Sequence, residues 1–497
     1  MWTFPVTINP TARLWATMSQ IDVAADVELV RSLVAKYFPI YDVKVSYESV
    51  TLLVSPDKST LEKNFESLRR DLKAKRYIPL ITYSGGEYTI SVVRFPETKK
   101  GNLWINRALL VVTFLTTTLA GMVLWADYDG AAQIFTVNNF VMGAIFFAIP
   151  LMAILGVHEL SHYIMAKRHG VEASLPYFIP SIPPFGTFGA FISLRDPMPS
   201  RKALVDIGIA GPLGGLAVTI PVALLGLYLT ANGHAVSGPI GDGGVMAIML
   251  QPLYQLLAML VPMADNMALH PTAFAAWVGF LVTAINLLPI GQLDGGHVAR
   301  GLFGNNAKYL GYATFGVLVF LALFFDGWIL FALLVFFLGL KHPAPLNDIS
   351  KLGFRTKVIG VLGLVILLAT FVPQPITTIA PDHSFDLSVA GDNNTTVMAG
   401  ENAIFHILIN NTGNTNSQMT LTLDHIPGEW AASVFLSNGT SDNATNVLTF
   451  VLDHESNASV TVLIHVASTP SVVQKELLLI GKAADAIKEQ PLTVNVS

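Results

Sequence analysis

The chain has 497 residues, of which 52% are hydrophobic and 13% charged, where soluble domains carry roughly 25% charged residues. This balance excludes an ordinary soluble enzyme and indicates an integral membrane protein with soluble attachments. A net charge of −5 argues against a nucleic-acid partner, and the absence of cysteine removes disulfides, thiol catalysis and thiolate-bound metal.

The N-terminal stretch MWTFPVTINPTARLW lacks the charged and apolar regions of a signal peptide, so topology is read from the spans. Residues 1–100 read as a soluble α+β domain. Its elements are a helix at 27–38, strands at 43–47 and 51–54, a charged helix at 60–75 with one solvated face, and a hairpin of 78–83 and 88–95 turning at Ser84-Gly85-Gly86. A transmembrane domain follows over 101–378. Seven spans are expected, at 104–125, 140–166, 204–229, 271–289, 308–325, 327–341 and 357–373, each near the ~20 apolar residues a bilayer requires. The apolar region 244–264 is broken by Gln251, Pro252 and Gln255 and reads as interfacial or re-entrant.

Lys and Arg gather at one set of span ends: Lys99, Lys100 and Arg107; Lys167 and Arg168; Arg201 and Lys202; Arg300 and Lys308; Lys341, Lys351, Arg355 and Lys357. Seven crossings place all of these in the cytoplasm, with the N-terminal domain inside and the C-terminal domain outside. Residues 382–497 alternate polar and apolar residues in short strands, among them 403–408, 419–423, 447–451 and 460–466. This suggests an all-β immunoglobulin-like sandwich. It carries the glycosylation sequons Asn393, Asn394, Asn410, Asn438, Asn443 and Asn457, which fit an extracytoplasmic location.

The chemistry concentrates in the second span, where His158-Glu159-Leu160-Ser161-His162 lies inside an apolar helix. Helical i,i+4 spacing puts both imidazoles on one face, where they can grip one metal ion, with Glu159 beside them to deprotonate a metal-bound water. Ionisable groups at membrane depth are costly and need such a function. A catalytic zinc usually has three protein ligands, and Asp294 is the candidate third. It follows a span broken by Pro289 and Gly291, and Gly295 and Gly296 would let the chain turn away after it. Simpler roles are also available. Asp294 could cap a helix, Asn286 could satisfy a neighbouring backbone group, and His297 could stand near the ligands without joining them. Gly211, Gly214 and Gly215 could serve close helix packing, and Asp206 could cap the third span.

His158, Glu159 and His162, together with Asn286, Pro289, Leu293, Asp294 and Gly295 in an NxxPxxxLDG pattern, resemble the site-2 proteases, the intramembrane zinc metalloproteases of peptidase family M50. Gly211-Pro-Leu-Gly-Gly215 is similar to a further family signature, and Pro197 to Gly208 looks like archaeal and plant-plastid members. The resemblance covers about 140–294, the expected catalytic core. It implies one zinc ion held by His158, His162 and Asp294, Glu159 as general base, and Asn286 as a hydrogen-bond donor to substrate carbonyl or oxyanion. Transmembrane protein substrates would be cut in or near the bilayer. The loop 185–194 would offer a strand edge to the unwound substrate, and the outer domain would filter or hold substrates. Oligomeric state is left open. A metal-ion transporter would also place His and Asp at mid-membrane, but the sequence shows no second cluster of such residues in the spans. A non-catalytic scaffold would not need Glu159.

Overall fold

The computed structural model describes residues 23–46, 49–95, 102–234, 245–264, 267–437 and 445–497. They form two compact units, one with the described residues up to 234 and those of 249–375, the other with 245–248 and the residues from 376 onward.

The first unit opens with α1 (Val23–Ala35), β1 (Ile40–Val45), β2 (Val50–Val54), α2 (Leu61–Ala74), β3 (Tyr77–Ser84) and β4 (Glu87–Arg94). The expected αββαββ order is present, each element within a few residues of its expected place; residues 47 and 48 lie outside the described ones. The strands form an antiparallel sheet in the order β1-β2-β4-β3. Gly85 and Gly86 both take positive φ in the two-residue turn joining β3 to β4, the conformation that matches the twist of paired strands. Leu61, Phe65, Leu68 and Leu72 recur at helical spacing along α2 and share one core with Leu52, Ile81 and Ile90. Each such burial contributes about 1.5–3 kcal/mol.

The charged side of α2 is not simply solvated. Arg69 is buried and donates to both Glu66 oxygens and to the His169 carbonyl, while Lys73 donates to Asp196 at 2.6 Å and to the Gly170 carbonyl. Burial pushes the Glu66 carboxyl up, but the hydrogen bonds and charges of Arg69 and Arg70 outweigh it and hold it below the usual carboxylate range. The Ile81 N–H donates to the Leu346 carbonyl, which carries the sheet edge onto a connector between apolar helices.

Among the described residues, three helices are long and apolar enough to cross a bilayer: α3 (Leu103–Tyr128), α4 (Val137–Arg168) and α5 (Arg201–Ala231). Between α4 and α5 lie β5 (Tyr177–Pro180) and β6 (Thr187–Phe191). After α5 come β7 (Val245–Ile248), α6 (Pro252–Ala258), α7 (Pro271–Asn286), α8 (Asp294–Phe303), α9 (Ala307–Leu321), α10 (Gly327–Leu338) and α11 (Phe354–Thr370). All seven expected spans are therefore helical. The last four, α7, α9, α10 and α11, have 16, 15, 12 and 17 residues, short of the ~20 that an untilted crossing takes. α7 has no exposed residue, and the outward faces of α9, α10 and α11 are apolar, with Val317, Phe320, Leu330, Phe337, Leu364 and Leu368 exposed. The region 244–264 resolves into β7 and the short helix α6.

A π-helical turn at Ala144–Ala148 interrupts α4 just before Pro150. Pro150 has no N–H to give the Phe146 carbonyl, and the Thr272 hydroxyl donates to that carbonyl instead, at 2.7 Å. The break thus ties α4 to the start of α7.

The second unit pairs β7 with β8 (Ile376–Ile379) and continues through β9 (Phe385–Val389), β10 (Asn394–Val397), β11 (Asn402–Asn411), β12 (Ser417–Asp424), β13 (Ala431–Leu436), β14 (Val447–Leu452), β15 (Asn457–His465), β16 (Gln474–Ala483) and β17 (Ala486–Val496). A five-stranded sheet, β10-β17-β16-β12-β14, and a four-stranded sheet, β13-β15-β11-β9, contribute to one apolar core. Burial alternates residue by residue along β11, as the sequence pattern demands. Asn393, Asn394, Asn410 and Asn457 are exposed; Asn438 and Asn443 lie outside the described residues.

Candidate metal centre

Helix α4 presents His158 and His162 one turn apart, both buried, with Glu159 buried beside them. The ligand-type atoms of His158, Glu159 and His162 all lie within 4.8 Å of one another. Helix α7 ends at Asn286, and the turn 287–293 delivers Asp294 as the first residue of α8. Gly291 takes φ +56° in that turn, and a Cβ there would run into the Gly339 carbonyl. Gly295 and Gly296 do not form a second turn, as the sequence suggests. They are helical, and a Cβ on either would collide with the carbonyls of Leu287 or Gly291. These glycines allow α8 to fold back tightly on the turn, which sets the Asp294 carboxylate against α4.

The resulting distances form a near-regular triangle. Asp294 Oδ2 is 3.1 Å from His158 Nε2 and 3.1 Å from His162 Nε2, and the two Nε2 atoms are 3.2 Å apart. Zinc bonds of about 2.0–2.1 Å in a tetrahedron put ligand atoms about 3.3 Å apart, so this donor set fits one ion with only a slight expansion. The His162 Nδ1–H donates to the Ile207 carbonyl at 2.8 Å, which leaves Nε2 with a free lone pair facing the triangle. Asn286 Nδ2 reaches to 3.4 Å from His158 Nε2.

Helix α5 cradles the group. A Cβ at Gly211 would overlap the His162 imidazole, one at Gly214 would overlap Ser161 Oγ, and one at Gly215 would stand 3.0 Å from His158 Nδ1. The glycines read from sequence as close helix packing therefore seat the imidazoles themselves. Asp206 is not a cap: α5 starts at Arg201 with Ser200 accepting from the Ala203 N–H, and Asp206 instead pairs with His169 at 3.0 Å.

A cavity of about 210 Å³ opens on the group, lined by Glu159, His162, Asn286, Asp294, Phe191 and Ile192 among others. Within the segment 185–194, β6 is the expected strand, and it pairs with β5 as a hairpin whose following residue, Ile192, lines the cavity with Glu159. The hairpin is held to α3 at two places. Asn106, buried, donates to the carbonyls of Leu175 and Pro176 at 2.9 and 3.0 Å, and Thr116 Oγ1 donates to the Gly186 carbonyl at 2.7 Å. Sequence reasoning missed Asn106 and Thr116. A lone Asn within a span was the available signal for the first; a Thr in a span carries none, because it can bond its own helix. His297 also lines the cavity and touches His342, with His297 Nδ1 against His342 Nε2.

Residues 146–325 match the sequence model of peptidase family M50. Among similar proteins, the probable zinc metalloprotease EGY1, chloroplastic, of Arabidopsis thaliana is 32% identical over 47% of this chain and 44% of its own length. The corresponding EGY2 protein of Oryza sativa subsp. indica is 30% identical over 56% and 52%. The EGY3 protein of the same source is 29% identical over 55% and 49%. The chain spans about half the length of the curated relatives it matches. These relatives are named as probable zinc metalloproteases, and the His158-Glu159-His162 cluster of this chain is a group that could hold a metal ion.

Proposed function

We propose that this chain is an intramembrane zinc endopeptidase that hydrolyses peptide bonds in or near the transmembrane segments of protein substrates. The observation that carries the reading is the equal 3.1 Å approach of Asp294 Oδ2 to His158 and His162, with Glu159 buried beside them on a shared cavity. His158, His162 and Asp294 hold the metal. Bound zinc would polarise the scissile carbonyl and make water acidic enough to ionise near neutral pH. Glu159 takes the proton of the attacking water; as the new C–O bond forms and the C–N bond breaks, it returns that proton to the leaving amine. Asn286 donates to the substrate carbonyl oxygen. The segment Ala190–Ser193, the end of β6 and the two residues after it, pairs with the unwound substrate as an added strand along the cavity.

The four shorter helices cross together with the three long ones. This arrangement leaves the N-terminal region in the cytoplasm, and an immunoglobulin-like C-terminal module outside, where it selects substrates already trimmed there, as in regulated intramembrane proteolysis. A metal-ion transporter is less well supported, because the described residues bring together no second group of three His, Asp or Glu side chains. The test is a reconstituted assay on a model transmembrane substrate. Glu159→Gln lowers cleavage by about 10²–10⁴-fold with one zinc per chain retained. Cleavage at the parent rate in that variant overturns the reading.

A further inference from the structure

A second cleft, of about 70 Å³, lies on the motif turn. Its wall includes Gly291 and Gly296, and Arg300, Lys308, Lys341 and His342 face it. No carboxylate lines it. Arg300 is already satisfied by two bonds to Asp348, at 3.0 and 2.8 Å. Lys308 and Lys341 have no acidic partner among the described residues, so the cleft carries two uncompensated positive charges. Lys308 stands in the first turn of α9, and Lys341 follows α10 by three residues. Asn306, at the N-cap of α9, makes no side-chain capping bond, so the first N–H groups of that helix have no side-chain acceptor from it.

We propose that this cleft binds the phosphate of a net-anionic phosphate ester. Two ammonium groups at the ends of two strongly apolar helices, beside the Arg300 guanidinium and with no carboxylate in the lining, combine the features that recognise a phosphate at headgroup depth. The chemistry fits an acidic phospholipid or a soluble phosphate compound equally. Scattered lysines at helix ends serve orientation alone. These two differ in lining one cleft together with Gly291 and Gly296, which flank Asp294 in the chain, so a ligand there bears directly on the metal-site turn.

Binding is the readout, and it needs no cleavage. The full chain in neutral detergent is offered equal phosphatidylglycerol and phosphatidylcholine, and bound lipid is counted by native mass spectrometry; inorganic phosphate is titrated separately by calorimetry. The parent retains phosphatidylglycerol selectively, or binds inorganic phosphate, and the responding arm names the source. The Lys308→Gln/Lys341→Gln double variant binds at least tenfold more weakly, whereas Lys308→Arg/Lys341→Arg binds as the parent does. Lys351→Gln/Lys357→Gln, which removes the same charge beside α11, changes nothing. Unchanged zinc content in every variant shows that the fold is intact. The proposal is overturned if neither probe binds selectively, or if the Lys351/Lys357 pair weakens binding as much as the Lys308/Lys341 pair.

Discussion

Two pairs of histidines reach the same cavity, through His162 and His297, and they do opposite things. His158 and His162 turn their Nε2 atoms towards each other at 3.2 Å, with Asp294 Oδ2 completing the triangle. His297 and His342 meet directly. The His342 Nδ1–H donates to the Pro343 carbonyl at 2.6 Å, which frees its Nε2 to accept from His297 Nδ1–H. The second pair is a completed hydrogen-bond chain with no room between its nitrogens. In the first, the Ile207 carbonyl leaves His162 Nε2 an acceptor facing the Asp294 carboxylate, an arrangement that a cation among them would satisfy. Proximity of imidazoles is therefore a poor sign of a metal site. A fixed tautomer, a converging carboxylate and a separation near a tetrahedral edge distinguish one.

The comparison breaks most sharply at Asp294. Asp294→Ala removes one corner of the triangle and should reduce both bound zinc and cleavage to background, whereas His342→Ala should leave zinc at one per chain. Metal analysis of the two purified variants checks this; equal zinc loss in both would erase the distinction. Gly211→Ala comes next in size. Its methyl group would occupy the space of the His162 ring, so the imidazole must tilt away from Ile207 and the triangle. Disturbing the support of a metal ligand typically costs 10–100-fold in metal affinity. Competition with a chelator should show that shift, and an unchanged zinc affinity would mean that α5 yields rather than the histidine.

Much of this was legible in the sequence because it depends on local spacing. The i,i+4 histidines follow from helix geometry, and the break at Pro289 and Gly291 marks where a chain at depth can carry a ligand. The order of the N-terminal elements follows from hydrophobic period and the Ser84-Gly85-Gly86 turn. Contacts made across the fold were not legible. Asp206 looks like a cap from its place near a helix start, but Ser200 starts α5 earlier and His169 takes the carboxylate. Arg69 and Lys73 look like a solvated face, yet they reach the connectors at His169, Gly170 and Asp196. Gly295 and Gly296 look like turn residues, and their real constraint is the close approach of carbonyls from the preceding turn. The first two errors share an origin, a deciding partner distant in sequence; the third turns on a backbone path that spacing alone does not give.

A smaller effect is expected where the hairpin meets α3. Asn106 and Thr116 hold the β5–β6 hairpin by three hydrogen bonds to its carbonyls. Each such bond is worth about 0.5–1.5 kcal/mol. Asn106→Ala combined with Thr116→Val should loosen the strand edge without touching the triangle. The expected outcome is about a tenfold rise in KM for a transmembrane substrate with zinc content unchanged. A fall in zinc content would show that the hairpin supports the metal site as well.

The least effect belongs to the second histidine pair. His297 lines the catalytic cavity, so position alone would rank it with the metal residues. Its chemistry does not, because its contact with His342 is an ordinary donor–acceptor bond whose loss costs about 1 kcal/mol. His297→Gln keeps a side-chain donor, although at a different reach. It should lower thermal stability slightly, leave bound zinc at one per chain and change cleavage by less than about threefold, since a rate factor of ten corresponds to about 1.4 kcal/mol. Zinc loss in this variant would mean that the pair braces α8, and through it Asp294, so that the two pairs form one structure. Retained zinc with a large fall in cleavage would move His297 from the wall of the cavity into its chemistry.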